Sequence, residues 1–217
     1  MTPPCIEETH VVDVYSKIAS HFDSTRAHQW WWITEFITMI NDATYEKKKV
    51  LDIGCGNGRN MDGFSNDTTT VYGIDNCLAF VNLLQERGKH VLYADMTSIP
   101  FQDKYFDFLL SIASFHHLAS EERRLQTLSE MKRIIKPNGL LLLSVWSRVQ
   151  PPKTKQAREI TDFGNILITW NRFGEIYQRY YYIFRIQELR TLFDKTGWSI
   201  EKHFWDYGNE IFILKSL

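Results

Sequence analysis

Three glycines at alternate positions, Gly54, Gly56 and Gly58, follow directly on the apolar run Val50–Ile53. A short apolar run that ends in turn residues is the mark of a strand buried in a parallel sheet. A glycine bend at its end lets backbone approach a ligand that any Cβ would hold off. The helix expected to follow would aim its free N–H groups and the positive end of its dipole at that ligand. The spacing is G-x-G-x-G with Asp52 just before it, not the G-x-G-x-x-G of a dinucleotide site. No lysine stands inside the turn to meet a phosphate.

The rest of the chain repeats the strand-then-helix alternation. Val11, Tyr15, Ile18 and Phe22, then Trp32, Phe36 and Ile40, recur at helical spacing across residues 10–40, with a break near Ser24–Gln29. Trp30, Trp31 and Trp32 are consecutive, so they cannot all face one core, and at least one belongs on a cleft or a partner surface. Further strands are expected at Thr70–Asp75, Val91–Asp95, Phe106–Ile112 and Leu140–Trp146. A helix over Ser120–Ile135, capped by Ser120, and a stop and turn at Lys136–Gly139 separate the last two. Tyr180–Phe184, Trp198–His203 and Glu210–Leu214 read as strands, with a helix at Gln187–Lys195; the final two strands form an antiparallel hairpin. Such alternation implies βαβ units and a doubly wound, mostly parallel sheet.

Composition narrows the function classes. A net charge of −1 gives no global case for nucleic-acid binding, so any basic surface is local. Cys5, Cys55 and Cys77 lack C-x-x-C spacing, so neither a disulfide framework nor a metal site is indicated. No apolar run reaches membrane-span length and the start M-T-P-P-C-I-E-E is not that of a signal peptide, so no membrane role is expected and a cytoplasmic or nuclear location is. With 44% hydrophobic residues, 1–217 is expected to form one domain, with 147–178 as an insertion before the C-terminal strands. Within it, Ser147–Ile160, basic and holding two prolines, reads as an exposed loop.

In open parallel sheets, ligands bind beyond the carboxyl ends of the strands. Asp52, Asp75 and Asp95 all fall at such ends. An acid after the second strand suits two ribose hydroxyls, and one after the third suits an adenine amino group, with Met96 beside it as an apolar face. The result is a nucleoside pocket with no group aimed at phosphate. The glycine turn with its acids resembles motif I of the class I S-adenosylmethionine (SAM) methyltransferases. The resemblance implies a Rossmann-like α/β fold with a seven-stranded, mostly parallel sheet and an antiparallel C-terminal strand. It implies SAM as cofactor, in a pocket drawing on Tyr15, Arg26, Asp52, Gly54, Cys55, Gly56, Gly58, Asp75, Asn76, Asp95, Met96 and Ser111.

A closer likeness is carried by V-Y-S-K-I-A-S-H-F-D-S-T-R-A-H-Q-W (Val14–Trp30), D-I-G-C-G-N-G (Asp52–Gly58), S-I-A-S-F-H-H-L (Ser111–Leu118), E-R-R (Glu122–Arg124), R-Y-Y-Y-I-F-R (Arg179–Arg185) and G-N (Gly208-Asn209). In this order they resemble the eukaryotic methyltransferases that esterify the carboxylate of 5-carboxymethyluridine at the tRNA wobble position. The implied acceptor is ionised at neutral pH, its pKa being roughly 4, so transfer needs placement and desolvation but no general base. The resemblance makes Arg26 and His116 the candidates for holding the carboxylate or its nucleotide, with Arg26 equally suited to the SAM carboxylate and His116 open to a packing role. Trp170, Arg179, Tyr180 and Tyr182 are candidates for the substrate cleft. On a strand, Tyr180 and Tyr182 share one face while Arg179 and Tyr181 share the other.

The resemblance also implies two partners, the tRNA anticodon loop and a small zinc-binding activator subunit that adds a strand at the Val91–Ala94 sheet edge. The chain departs from the family pattern in three places. The stretch from Trp146 to Arg179 lacks a long lysine-rich insertion, Trp30-Trp31 replaces Trp-Pro, and Arg185–Leu189 loses an acid from R-E-G-E-L. Two other functions remain open: a small-molecule carboxyl or carbon methyltransferase with the same pocket, and a non-catalytic scaffold.

Overall fold

The computed structural model describes residues 5–26, 28–44, 47–65, 67–172 and 174–217. Met1–Pro4, the first half of the expected non-secretory start, lie outside them, as does Ala27 in the break between the N-terminal helices. The chain opens as α1 (Cys5–Glu7), continues through a π-helical turn (Glu8–Val12) into α2 (Asp13–Thr25), and resumes as α3 (Trp31–Asp42). It then runs β1 (Lys48–Ile53), β2 (Thr69–Asp75), α4 (Leu78–Glu86), β3 (His90–Tyr93), β4 (Phe106–Ile112), α5 (Glu121–Ile134), β5 (Ile135–Trp146) and α6 (Lys155–Glu159). A hairpin of β6 (Gly164–Arg172) and β7 (Glu175–Ile183), α7 (Ile186–Lys195), β8 (Trp198–Asp206) and β9 (Asn209–Ser216) complete it.

Seven strands form one sheet in the order β3-β2-β1-β4-β5-β9-β8, and β6 and β7 pair separately. β1 lies parallel to both β2 and β4, so the strand order reverses there and opens a crevice beyond the carboxyl end of β1. β9 runs antiparallel to both β5 and β8, as the resemblance implied. Alternate side chains divide between the two faces. Leu51, Leu109, Leu141 and Leu143 pack under α5 and α7, while Val50, Phe108, Leu110 and Leu142 pack under α3.

The helix expected after the glycine turn is not there. Residues Arg59–Met61 make a single 3-10 turn before the chain reaches β2. The following F-S-N-D-T-T run has neither apolar periodicity nor helix formers, so nothing stabilises a longer helix. The expected turn at Lys136–Gly139 is instead a bulge inside β5, with Asn138 at φ 64° and the pairing to β4 shifted between Phe106 and Phe108. Among the described residues of 147–178 lie α6, β6 and the start of β7, and α6 falls inside the stretch Ser147–Ile160 expected as a loop. Thr154 caps α6, its hydroxyl accepting from Ala157 N–H, and Ile166, Ile168 and Trp170 alternate along β6. The three consecutive tryptophans part as their spacing required: Trp32 is buried, Trp30 half-buried and Trp31 exposed.

Candidate functional site

Gly54, Gly56 and Gly58 hold φ of 72°, 54° and 75°, a region that side chains with a Cβ enter at a cost. At Gly54 a Cβ would also stand 2.4 Å from the Cβ of Ser114, so glycine is required there twice over. The bend turns the Gly56 N–H onto Asp75 Oδ2 at 2.8 Å, while Cys77 N–H meets Asp75 Oδ1 at 2.8 Å. Each oxygen keeps a further lone pair for a ligand hydroxyl. Burial pushes the Asp75 carboxyl up to about 6 despite these hydrogen bonds.

Around the bend lies a cavity of about 870 Å³. Of the expected cofactor residues, Tyr15, Gly54, Cys55, Gly56, Asp75, Asn76, Asp95 and Met96 line it. Asp52 sits behind the turn, fully buried, and neither of its oxygens has a hydrogen-bond partner among the described residues. Burial, then the charge of Asp75, push its carboxyl up to about 7, against the pull of Arg59. An orphaned carboxylate behind a glycine bend, with three more acids on the wall, Glu7, Asp75 and Asp95, suits a ligand that carries hydroxyls and positive charge and no phosphate.

Three expectations about this pocket are corrected. Ser111 is fully buried and spends its hydroxyl on Ser114, which is the serine that lines the cavity. Gly58 packs against Leu84 rather than facing the ligand space. Arg26 points to a neighbouring cleft. Asp95 keeps its place on the wall, but its oxygens are engaged: Oδ1 by the Thr97 N–H and hydroxyl, Oδ2 by Arg123 at 2.7 Å. Burial works against its charge, and these partners outweigh it, holding the carboxyl below its usual range.

Arg123, part of the E-R-R run, was not among the predicted site residues. It is 1% exposed and bridges Asp95 to Glu7, whose carboxylate it meets through Nε at 3.0 and 3.2 Å. Glu7 also accepts from Ala119 N–H at 2.6 Å. These bonds pin the N-terminal helix across the cavity, where Glu7, Val11 and Phe22 form part of the wall. The helical stripe in the sequence marks Val11 and Phe22 as buried, but nothing local pairs Glu7 with an arginine so far along the chain.

A second cleft of about 970 Å³ adjoins the first, and Tyr15, Phe22, Arg59 and Ala113 line both. Its wall carries Arg26, Arg59 and Arg179 and the rings of Tyr15, Phe22, Trp30, Trp146, Tyr181 and Tyr207, and no Asp or Glu among the described residues. Burial, then repulsion from Arg179, lower the Arg26 pKa. The strand parity read from R-Y-Y-Y holds, but the face turned to the cleft is the one with Arg179 and Tyr181. Tyr181 stacks on Trp146 at 4.3 Å. Tyr180 and Tyr182 turn away, to Asn165 and Glu188, which removes them from the substrate set. Trp170 lies beneath the cleft as the ring under Arg179 and Arg26, at 4.6 and 5.4 Å.

Two histidines stand between cavity and cleft. The Nδ1 of His116, buried in the cleft wall, accepts from Trp146 N–H at 3.0 Å, so its proton is on Nε2, which has no partner among the described residues. Burial first, then His117 and Arg179, hold its pKa well below normal. His117 donates from Nδ1 to Tyr180 C=O at 2.7 Å, and its Nε2 accepts from the Tyr15 hydroxyl at 3.2 Å. Burial brings its pKa to about 3. Arg179 in turn donates to the Tyr15 hydroxyl at 3.3 Å. Both rings are therefore neutral at physiological pH, and neither has a free basic nitrogen.

A sequence profile of the methyltransferase domain family matches residues 51–143. The chain is 32% identical to the tRNA (carboxymethyluridine(34)-5-O)-methyltransferase of Schizosaccharomyces pombe, over 94% of each chain. It is 36% identical to the mouse tRNA (carboxymethyluridine(34)-5-O)-methyltransferase ALKBH8 over 70% of this chain. It spans 22% of that mouse protein's length, 35% of the Arabidopsis tRNA (carboxymethyluridine(34)-5-O)-methyltransferase and 34% of the cattle tRNA methyltransferase 9B. Among solved structures, the complex of the Haloferax volcanii Trm112 methyltransferase activator with a methyltransferase matches with a TM-score of 0.64 at 16% identity, covering 95% of this chain and 98% of that one.

Proposed function

The chain belongs to the SAM-dependent methyltransferases of the eukaryotic tRNA (carboxymethyluridine(34)-5-O)-methyltransferase family, and on that premise we propose that it esterifies the carboxylate of 5-carboxymethyluridine at the wobble position of tRNA. The observation that carries the reading is the second cleft, which three arginines and six aromatic rings line with no carboxylate among the described residues. Such a wall fits a planar base bearing negative charge, and it adjoins the cofactor cavity.

SAM supplies a methyl group on a cationic sulfur. Toward it, Asp75 offers acceptors to the ribose hydroxyls, Met96 and the neighbourhood of Asp95 take the adenine, and Asp52 balances positive charge behind the glycine bend. Arg59, on the wall of both spaces, suits the cofactor's own carboxylate. For the acceptor, Arg26 and Arg179 orient the carboxylate, and the Nε2–H of His116 is a donor for it or for the base. The aromatic walls exclude water and so sharpen the nucleophile. Methylation at carbon would need a base to remove a proton. The committed nitrogens of His116 and His117 supply none, which favours an acceptor already ionised.

The proposed partner at the other end of the sheet is a small zinc-binding activator. Among the described residues β3 pairs with β2 alone, at the sheet edge, and Leu92 and Tyr93 on it are exposed. An apolar edge of this kind invites an added strand, and the Haloferax methyltransferase of similar fold is found in complex with the Trm112 methyltransferase activator.

The test is methyl transfer from labelled SAM to bulk tRNA that lacks wobble methylation, with and without the activator. Label released by mild base identifies an ester and supports the reading. Base-stable label, or none with both proteins folded and SAM bound, removes it.

A further inference from the structure

The lip of the acceptor cleft carries a feature that neither cofactor binding nor carboxylate recognition uses. β8 and β9 are joined by the two-residue turn Tyr207-Gly208, closed by the Asp206–Asn209 pair. Tyr207 has φ 41° and Gly208 φ 85°, the backbone of a type I′ turn, whose first position favours Asn or Asp. A bulky residue there is strained. Strain of this kind, held in place by its surroundings, is characteristic of functional positions. The surroundings hold it firmly: Gly208 C=O accepts from Ser147 N–H and from Gln150 Nε2, both at 2.8 Å.

The strained side chain is not used for packing. Tyr207 is 61% exposed while its ring lines the cleft, 6.0 Å from the ring of Trp30. Trp30 is itself fixed by stacking on Trp32 with an interplanar angle of 11°, and the Trp32 indole N–H is anchored on Asp206 at 3.2 Å. Two rings, one rigid and one on a turn, therefore stand at the mouth of a cleft whose inner wall is cationic and aromatic. A single-stranded nucleic acid that inserts one base leaves the neighbouring bases at the mouth, and aromatic rings stack on any base.

We propose that Trp30 and Tyr207 form a stacking platform for the nucleobase adjacent to the one that receives the methyl group. This rests on the RNA reading above and adds to it a second contact point outside the acceptor site. The platform explains why a tyrosine occupies a position where asparagine would relax the backbone.

The test uses the full chain and an anticodon stem-loop RNA carrying carboxymethyluridine, with affinity measured by calorimetry. Tyr207→Asn removes the ring and suits the turn, so the variant is expected to melt higher than wild type yet bind the RNA roughly ten-fold more weakly, the size of one lost stack. Tyr207→Phe restores binding. Two further RNAs, abasic at the 5′ or the 3′ neighbour, close the argument. One of them binds wild type about ten-fold more weakly but binds Tyr207→Asn no worse than the intact loop does. The proposal is overturned by unchanged affinity in Tyr207→Asn, by additive losses with both abasic RNAs, by a lower melting temperature accompanying weaker binding, or by no RNA binding in wild type. Self-association of wild type that Tyr207→Asn abolishes would reassign the rings to contact between copies. With SAM and the activator both present, RNA binding that depends on Tyr207 without methyl transfer would sink the wobble-methylation reading and leave the platform standing. Transfer with Tyr207-independent binding would do the reverse.

Discussion

Replacing Asp52 with asparagine separates the cost of burying this carboxylate from its use in holding the cofactor. Asp52 is fully buried with both oxygens unpartnered among the described residues, and its carboxyl is pushed up to about 7 from 3.8. Because the folded carboxyl holds its proton more tightly than the unfolded one, its contribution favours folding below about pH 4 and is lost as pH rises through about 7. The raised carboxyl costs at most about 4 kcal/mol of stability at pH 8. Asparagine has a similar shape and no charge, so Asp52→Asn is expected to stabilise the cofactor-free protein at pH 8 and to leave it unchanged near pH 3.5. For a chain of this size the gain corresponds to a rise in melting temperature of up to about 10–15 °C. With SAM at saturating concentration the order reverses, because wild type gains stability from binding and the variant, lacking the counter-charge, does not. Thermal denaturation at pH 3.5, 6 and 8, with and without SAM, reads all of this. A variant that melts lower at pH 8 without ligand, or that responds to SAM as wild type does, would show that Asp52 is neither frustrated nor used for the cofactor.

Other changes probe the remaining parts. Arg123→Leu leaves the carboxylates of Glu7 and Asp95 without their buried partner, and urea unfolding should show a loss of about 3–5 kcal/mol. Arg179→Gln is expected to raise the acceptor KM by ten-fold or more while the dissociation constant for SAM stays within two-fold, because Arg179 lines only the acceptor cleft. His116→Ala should slow transfer and leave SAM affinity near normal. With His117 at about 3 and His116 well below its ordinary value, kcat at saturating SAM, where the cofactor holds Asp52 and Asp75 ionised, should show no limb near pH 6.5; such a limb would mean that one ring titrates in the complex. Leu92→Lys on the exposed strand should abolish co-purification with the activator without lowering the melting temperature of the chain.

Much of the fold was legible because strand ends are marked locally. The apolar run ahead of each of Asp52 and Asp75 and the glycine bend marked two strand ends and the pocket beyond them, since both depend on backbone geometry that only certain residues allow. The missing helix after Gly58 was legible too, in the absence of apolar periodicity from Asn57 to Asp67, but the glycine motif outweighed it. β6 carried a plain alternation of Ile166, Ile168 and Trp170. Strand parity separated Tyr181 from Tyr180 and Tyr182, but which face meets the cleft was decided by stacking on Trp146, a contact between distant segments. The pairing of Glu7 with Arg123 was hidden for the same reason: each alone reads as a solvated charge at a helix start, and only the closed fold buries them together.

The central claim is that the cationic cleft selects an ionised carboxylate on RNA and presents it to the methyl donor. Two anticodon stem-loops, identical except that one carries carboxymethyluridine and the other its neutral carbamoylmethyl counterpart, measure this directly by affinity and by methyl incorporation. The account predicts methylation of the first alone, binding at least ten-fold tighter for it, and loss of that preference in Arg179→Gln. Equal affinity for the two loops, or methyl incorporated into the neutral one, would contradict it.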